Sequence, residues 1–162
     1  MQRPSVRVVL RTAALIAAAI GIYYLCLQPL HGQLVLRDVR SRTILAQSRE
    51  RAHASTIAWT NLNDLQRVAR ACRLDPAWYV LYGGNCELLQ RWSEAADAYT
   101  RALSVDERPE IYFSRGRVKL YLGQTEAAAA DMVTAARFDP SMLEQIDGEL
   151  RRRVAAAAGL KK

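Results

Sequence analysis

The chain has 162 residues and a formal net charge of +7, enough length for one modest domain and a leader. The charge is uneven: residues 1–45 carry a net +5, residues 46–140 hold 12 basic and 12 acidic groups, and residues 141–162 carry a net +2. A neutral centre between basic ends argues against a nucleic-acid reader, which concentrates charge on its folded face, and toward membrane topology or anionic lipid.

The leader comes first. Arg3, Arg7 and Arg11 precede Thr12–Leu27, sixteen residues without a charge, with Tyr23 and Tyr24 near the end where amphipathic rings suit a membrane interface. Gln28-Pro29 and His31-Gly32 are expected to end this helix. Val8 to Leu30, with Arg11 snorkelling, gives 23 residues, enough to cross about 30 Å of hydrocarbon. No A-x-A cleavage site follows Leu27, and Leu25 before Cys26 does not suit a lipoprotein signal. The expectation is an uncleaved signal anchor over residues 1–31: a single-pass inner-membrane protein, N-terminus cytoplasmic and the domain periplasmic. The early arginines sit on a short tail and set this orientation. Arg37, Arg40 and Arg42 belong to a long segment that translocates regardless of charge.

Residues 32–58 read as a connecting helix that leaves the membrane and opens the folded domain. Leu34 to Trp59 contains no Pro or Gly. A turn is expected at Trp59-Thr60-Asn61-Leu62-Asn63, with Asn63 capping a helix from Asp64 to Leu74. That helix places Leu65, Val68, Ala69 and Cys72 on one face.

Residues 59–140 are organised by a repeat. Gly83 and Gly116, Ala95 and Ala128, Ala102 and Ala135, and Asp106 and Asp139 are each 33 positions apart. One shared offset across four small-residue and loop positions marks a helical-hairpin solenoid. Asp75-Pro76 and Asp139-Pro140 are helix starts, with Asp as N-cap and Pro in the first turn, where its missing N–H costs nothing. The endings at Cys72 and Ala136 are 64 apart, close to two periods, so a worn first unit precedes the two clear ones, with Ala52 where Gly83 and Gly116 stand later.

These residues resemble the tetratricopeptide repeat (TPR). Tyr79 and Tyr112 match its first aromatic, Gly83 and Gly116 its glycine, and Ala95 and Ala128 the small residue of the second helix. Tyr99 and Met132 match the next bulky site, Ala102 and Ala135 the alanine, and Pro76 and Pro140 the closing proline. Glu107 replaces the middle proline, with Pro109 displaced, and Arg115 stands where Leu is usual. The resemblance implies an all-α helical-hairpin solenoid of about 2.5–3 repeats plus a C-terminal capping helix, preceded by one transmembrane helix. It also implies a concave face lined by the first helix of each hairpin. Carried over, that face holds Arg49 and His53, then Ala77, Val80, Gly84 and Leu88, then Phe113, Arg117, Leu120 and Tyr121. The partner-binding candidates are Val80, Gly84, Leu88, Phe113, Arg117, Leu120 and Tyr121, unless the C-terminal segment fills part of that groove. Members that clamp C-terminal carboxylates use Lys and Asn where Val80, Gly84, Phe113 and Arg117 stand here, so that specificity is not expected.

Residues 141–162 read as a capping helix with Met142, Leu143, Ile146, Leu150 and Val154 on one face, ended by Gly159 and followed by a basic tail with Lys161 and Lys162. Cys72 and Cys86 are expected as free thiols: helical rise puts them roughly 10 Å apart in depth, too far for a disulfide. His31 and His53 lack ligand partners at metal spacing, and no phosphate loop or nucleophile elbow is present. No catalytic, metal or cofactor site is therefore expected, and neither nucleic acid nor a small-molecule substrate. Function is expected to be partner binding: a membrane-anchored protein–protein interaction scaffold that holds a peptide or protein in an envelope assembly, secretion or polysaccharide machinery. The alternative is a structural subunit held through its transmembrane helix, with the repeats as a spacer.

Overall fold

The computed structural model describes residues 6–160. The side chains of residues 6–11 and of Ala52 lie outside that description, and with them the expectations placed on Arg3, Arg7, Arg11, Ala52 and the Lys161-Lys162 tail. Among the described residues the structure is helical throughout, without strands: an all-α stack of hairpins.

The first helix does not stop where the sequence suggests. α1 (Val6–Ile22) passes through a π-helical segment (Tyr23–Leu27) into α2 (Gln28–Gln47). Proline in a helix removes one hydrogen bond and crowds the carbonyl four residues back. The wider π turn just before Pro29 absorbs that defect, with Gln28 N–H donating to the Tyr23 carbonyl five residues earlier. Gly32 stays helical because it is needed there: a Cβ would lie 2.7 Å from Cys72 Sγ. The helix from Thr12 to Gln47 is thus unbroken over 36 residues, and its N-terminal part is long and apolar enough to cross a membrane.

The expected turn at Trp59–Asn63 is also corrected. α3 runs without a break over Arg51–Cys72, and the chain turns at Ser48–Glu50 instead. The Ser48 hydroxyl and its own N–H both donate to the Leu45 carbonyl, local bonds that compete with helix continuation. Asn61, read as a turn residue, is fully buried, and Asn63 caps nothing. So the helix that continues the apolar segment is the first helix of the first hairpin, as expected, but it ends at Gln47 instead of running on to residue 58.

The remaining hairpins follow the sequence. α4 (Pro76–Leu88) pairs with α5 (Trp92–Leu103), and α6 (Pro109–Tyr121) with α7 (Thr125–Phe138). The Asp75 carboxylate accepts from Ala77 N–H at 2.9 Å, and Asp139 accepts from Ser141 N–H at 2.9 Å. Gly83 and Gly116 allow close helix contact: an added Cβ would meet the Tyr99 ring at 3.0 Å in one case and the Ala128 carbonyl at 3.0 Å in the other. Pro109 opens α6 at its first turn, as the displaced proline should.

Beyond Asp139 a single capping helix does not form. A 3₁₀ turn (Pro140–Gln145) is followed by extended backbone at Ile146 and then by α8 (Gly148–Ala158). Gly148 has φ +61°, which breaks the segment, while Gly159 at φ +75° ends α8 as anticipated.

The core has two parts. The larger runs through the first two hairpins with Leu36, Val39, Leu62, Leu65, Leu81 and Tyr99. The second lies under the cap, where Met142, Ile146 and Val154 pack on Phe113, Met132 and Ala136. Cys72 and Cys86 are free and buried, and burial pushes the Cys86 thiol up to about 11. The folded state then holds this proton more tightly than the unfolded chain does. Stability should fall as pH climbs from the ordinary thiol range toward that value. In an alkylation assay on folded protein at mildly alkaline pH, Cys72 and Cys86 should stay unmodified until denaturant is added; modification of both in the native state would contradict their burial.

Candidate functional site

The first helices α2, α4 and α6 line one face, and between them lies a groove of about 590 Å³. α2 supplies Thr43, Ile44 and Gln47, where Arg49 and His53 were expected. Arg49 falls in the Ser48–Glu50 turn and His53 on α3, because the chain turns eleven or so residues before the anticipated position. α4 supplies Val80, Leu81, Gly84, Glu87 and Leu88; α6 supplies Ser114, Arg117 and Tyr121.

The groove therefore unites five of the seven candidates: Val80, Gly84, Leu88, Arg117 and Tyr121. Phe113 and Leu120 do not join it. Phe113 is 7% exposed and Leu120 half-buried, and both pack against the C-terminal segment. The cap thus fills the third-unit end of the concave face, the alternative left open by the sequence. Arg117 bridges the two regions, since it also lines the small cavity of about 220 Å³ with Phe113, Leu120 and Ile146.

The rim is apolar and exposed. Ile44 and Tyr121 are each 63% exposed, and Tyr121 stacks on Trp92 with ring centroids 4.2 Å apart. The floor is polar. The Tyr99 hydroxyl donates to Glu87 Oε1 at 2.5 Å, and Arg117 Nη2 donates to Glu87 Oε2 at 2.6 Å. Burial, with the Glu87 charge adding to it, raises the Tyr99 hydroxyl well above its usual range, so it remains a donor. Glu87 is thereby occupied on both oxygens, while Arg117 is half exposed and carries further N–H donors beyond the one given to Glu87. Glu87, Tyr99, Trp92 and Ile44 were not picked out as site residues. Glu87 sits one turn after Gly83 on the same helix face as Val80 and Gly84, and that spacing alone could have found it.

A second cavity, of about 330 Å³, lies between α3, α4 and α5 and is lined by Gln66, Trp78, Tyr82 and Glu94. It is smaller and lacks the convergence of three first helices. Among the described residues no group of three or more His, Cys, Asp or Glu side chains is placed to hold a metal ion.

The hairpin stack can be set beside solved structures. The crystal structure of a thermophilic TPR protein from Thermus thermophilus superposes with a TM-score of 0.60 at 22% identity, covering 78% of this chain. The fold is TPR-like. The chain spans 63% of that protein's length. No family model matches the sequence, and no curated protein matches it either.

Proposed function

We propose that this chain is a membrane-anchored scaffold that holds a peptide or protein partner in the groove between α2, α4 and α6. The observation that carries this reading is the groove itself: an open channel lined by exposed Ile44 and Tyr121 and half-buried Leu88 and Trp92, with half-exposed Arg117 among them. Such a channel suits an amphipathic helix or an extended segment that inserts apolar side chains and offers a carbonyl or carboxylate to Arg117. Anchorage comes from α1, with the N-terminus in the cytoplasm and the repeats in the periplasm. The partner belongs to an envelope assembly, secretion or polysaccharide machinery, a placement that rests on analogy.

A second reading is favoured by the unbroken helix from Thr12 to Gln47, which makes the domain a rigid extension of the anchor. In it the protein is a subunit held by its membrane helix through the small-residue run Ala13–Gly21, with the repeats as a spacer. The test is photocrosslinking from position 121 in native membranes, repeated with Val80→Ser and Leu88→Ser. The groove reading expects a discrete adduct lost in the double variant while the circular dichroism melt holds. An unchanged adduct, or none, favours the spacer.

A further inference from the structure

We infer that the turn joining α3 to α4, with Arg70, Arg73 and Leu74, docks on the anionic headgroup layer of the same membrane that α1 crosses. This rests on the reading of α1 as a membrane span. No linker separates span from domain, because the helix runs unbroken from Thr12 to Gln47. α3 then runs back alongside α2. Asn61 Nδ2 meets Thr43 Oγ1 at 3.2 Å in the upper part, and Ala71 and Cys72 lie against Gly32 at the lower end. Gln33 Nε2 donates to Asp75 Oδ2 at 2.9 Å and fixes the turn at that height. The α3–α4 turn therefore returns to the level of residues 30–33, where the apolar span gives way to the polar sequence.

What the turn presents at that level is unusual for a soluble surface. Leu74 is 77% exposed, more than any other large hydrophobic of the hairpin stack among the described residues. Arg70 and Arg73 precede it, exposed, and exposed Arg37 and Arg40 lie on α2 about one and two turns above. None of these four arginines has a carboxylate partner among the described ion pairs. The nearest acid, Asp75, is engaged by Gln33 and by the Ala77 N–H. An exposed leucine beside arginines outside any described ion pair, held at the hydrocarbon boundary, matches an interface of apolar tails under anionic headgroups. Each arginine so placed strengthens attachment by about fivefold. The dock fixes the tilt of the solenoid and leaves the groove pointing away from the bilayer.

The test uses the full chain with Cys26→Ala, reconstituted in vesicles of phosphatidylcholine with or without phosphatidylglycerol. Nitroxide labels are placed at Leu74→Cys or, at the opposite end of the hairpins, Gln124→Cys, and a separate sample carries the label at native Cys26. Collision rates with oxygen and with a water-soluble nickel chelate report depth. The expected result is a Leu74 label shielded from the chelate in phosphatidylglycerol vesicles and far less so without that lipid. The Gln124 label should be open in both, and Arg70→Glu with Arg73→Glu should undo the shielding. A Leu74 label as open to the chelate as the Gln124 label, with Cys26 still shielded, overturns the dock and leaves the span intact. A Cys26 label open to the chelate overturns both. Shielding found in native membranes but not in purified vesicles overturns the lipid assignment and gives the surface to a protein neighbour.

Discussion

Asp131→Ala should destabilise the protein by about 3 kcal/mol and lower its Tm by roughly 9 °C in a circular dichroism melt. Asp131 sits on α7 with its side chain 8% exposed. Arg115 grips it with two parallel bonds, Nε to Oδ2 at 2.8 Å and Nη2 to Oδ1 at 2.7 Å, and Lys119 Nζ adds a third contact at 2.8 Å. Arg115 also lies over the Tyr112 ring and donates to Thr100 on α5. One carboxylate thus joins the third hairpin internally and, through Arg115, ties it to the second. Removing the carboxylate leaves two cations in a poorly hydrated seam, and the loss of one partner is what makes a buried pair expensive to break. Lys119 can reach water along its stem; Arg115, held by its other contacts, cannot do so as freely. Arg115→Leu should be milder, because Lys119 still faces Asp131, and the double variant Arg115→Leu/Asp131→Ala should recover part of the loss. A single Asp131→Ala effect below about 1 kcal/mol would mean that solvent already screens the pair.

That pair explains a departure the sequence showed without its reason. Arg115 stands where a TPR usually has Leu, and nothing local predicts why. The compensating acid is sixteen positions away, on a helix face where a lone Asp reads as solvated. The same limit governs the first hairpin. The clear repeats were legible because Gly83, Gly116, Ala95 and Ala128 are required by close packing and leave a periodic trace. The turn at Ser48–Glu50 leaves none: it contains no Gly or Pro, while Trp59-Thr60-Asn61-Leu62-Asn63 looks like a turn by composition. Asn61 is instead drawn into the core by partners on two other helices, a tertiary demand that overrides local preference. Misplacing that turn moved the first wall of the groove from α2 to residues 49 and 53. Ile44 and Gln47 were missed for the same reason. At the other end, the hydrophobic stripe of the cap is legible in the sequence, but Gly148 at φ +61° breaks the single helix expected there. What that break allows, the packing of Ile146 over Phe113 and Leu120, is set by three-dimensional fit and decides how much of the concave face stays open.

Asn85→Ala should cost about 3 kcal/mol and should do so locally, by loosening α2 from the rest of the stack. Asn85 is fully buried, and its side chain uses every polar atom it has. Nδ2 donates to Thr43 Oγ1 at 3.0 Å and to the Leu81 carbonyl at 2.8 Å, and Oδ1 accepts from Asn61 Nδ2 at 2.9 Å. Thr43 Oγ1 in turn donates to the Val39 carbonyl at 2.8 Å. Three polar side chains, from α2, α3 and α4, thus close a network in an otherwise apolar core, and the bonds they share form only in this register. Truncating Asn85 leaves a small cavity and strands a donor of Asn61, whose Oδ1 already lacks a partner. Unpaired buried groups account for the cost. Replacing all three at once, Thr43→Val with Asn61→Leu and Asn85→Leu, should restore most of the stability, since no polar atom is then left alone. The discriminating measurement is amide hydrogen exchange. With Asn85→Ala, protection should fall first in α2 near Val39–Ala46, ahead of α6 and α7. Uniform loss across all hairpins would show that the network serves the whole core and not this junction. The location matters because α2 continues the apolar helix. The Thr43–Asn61–Asn85 network is the bolt between that helix and the groove, and the angle at which the groove is presented depends on it.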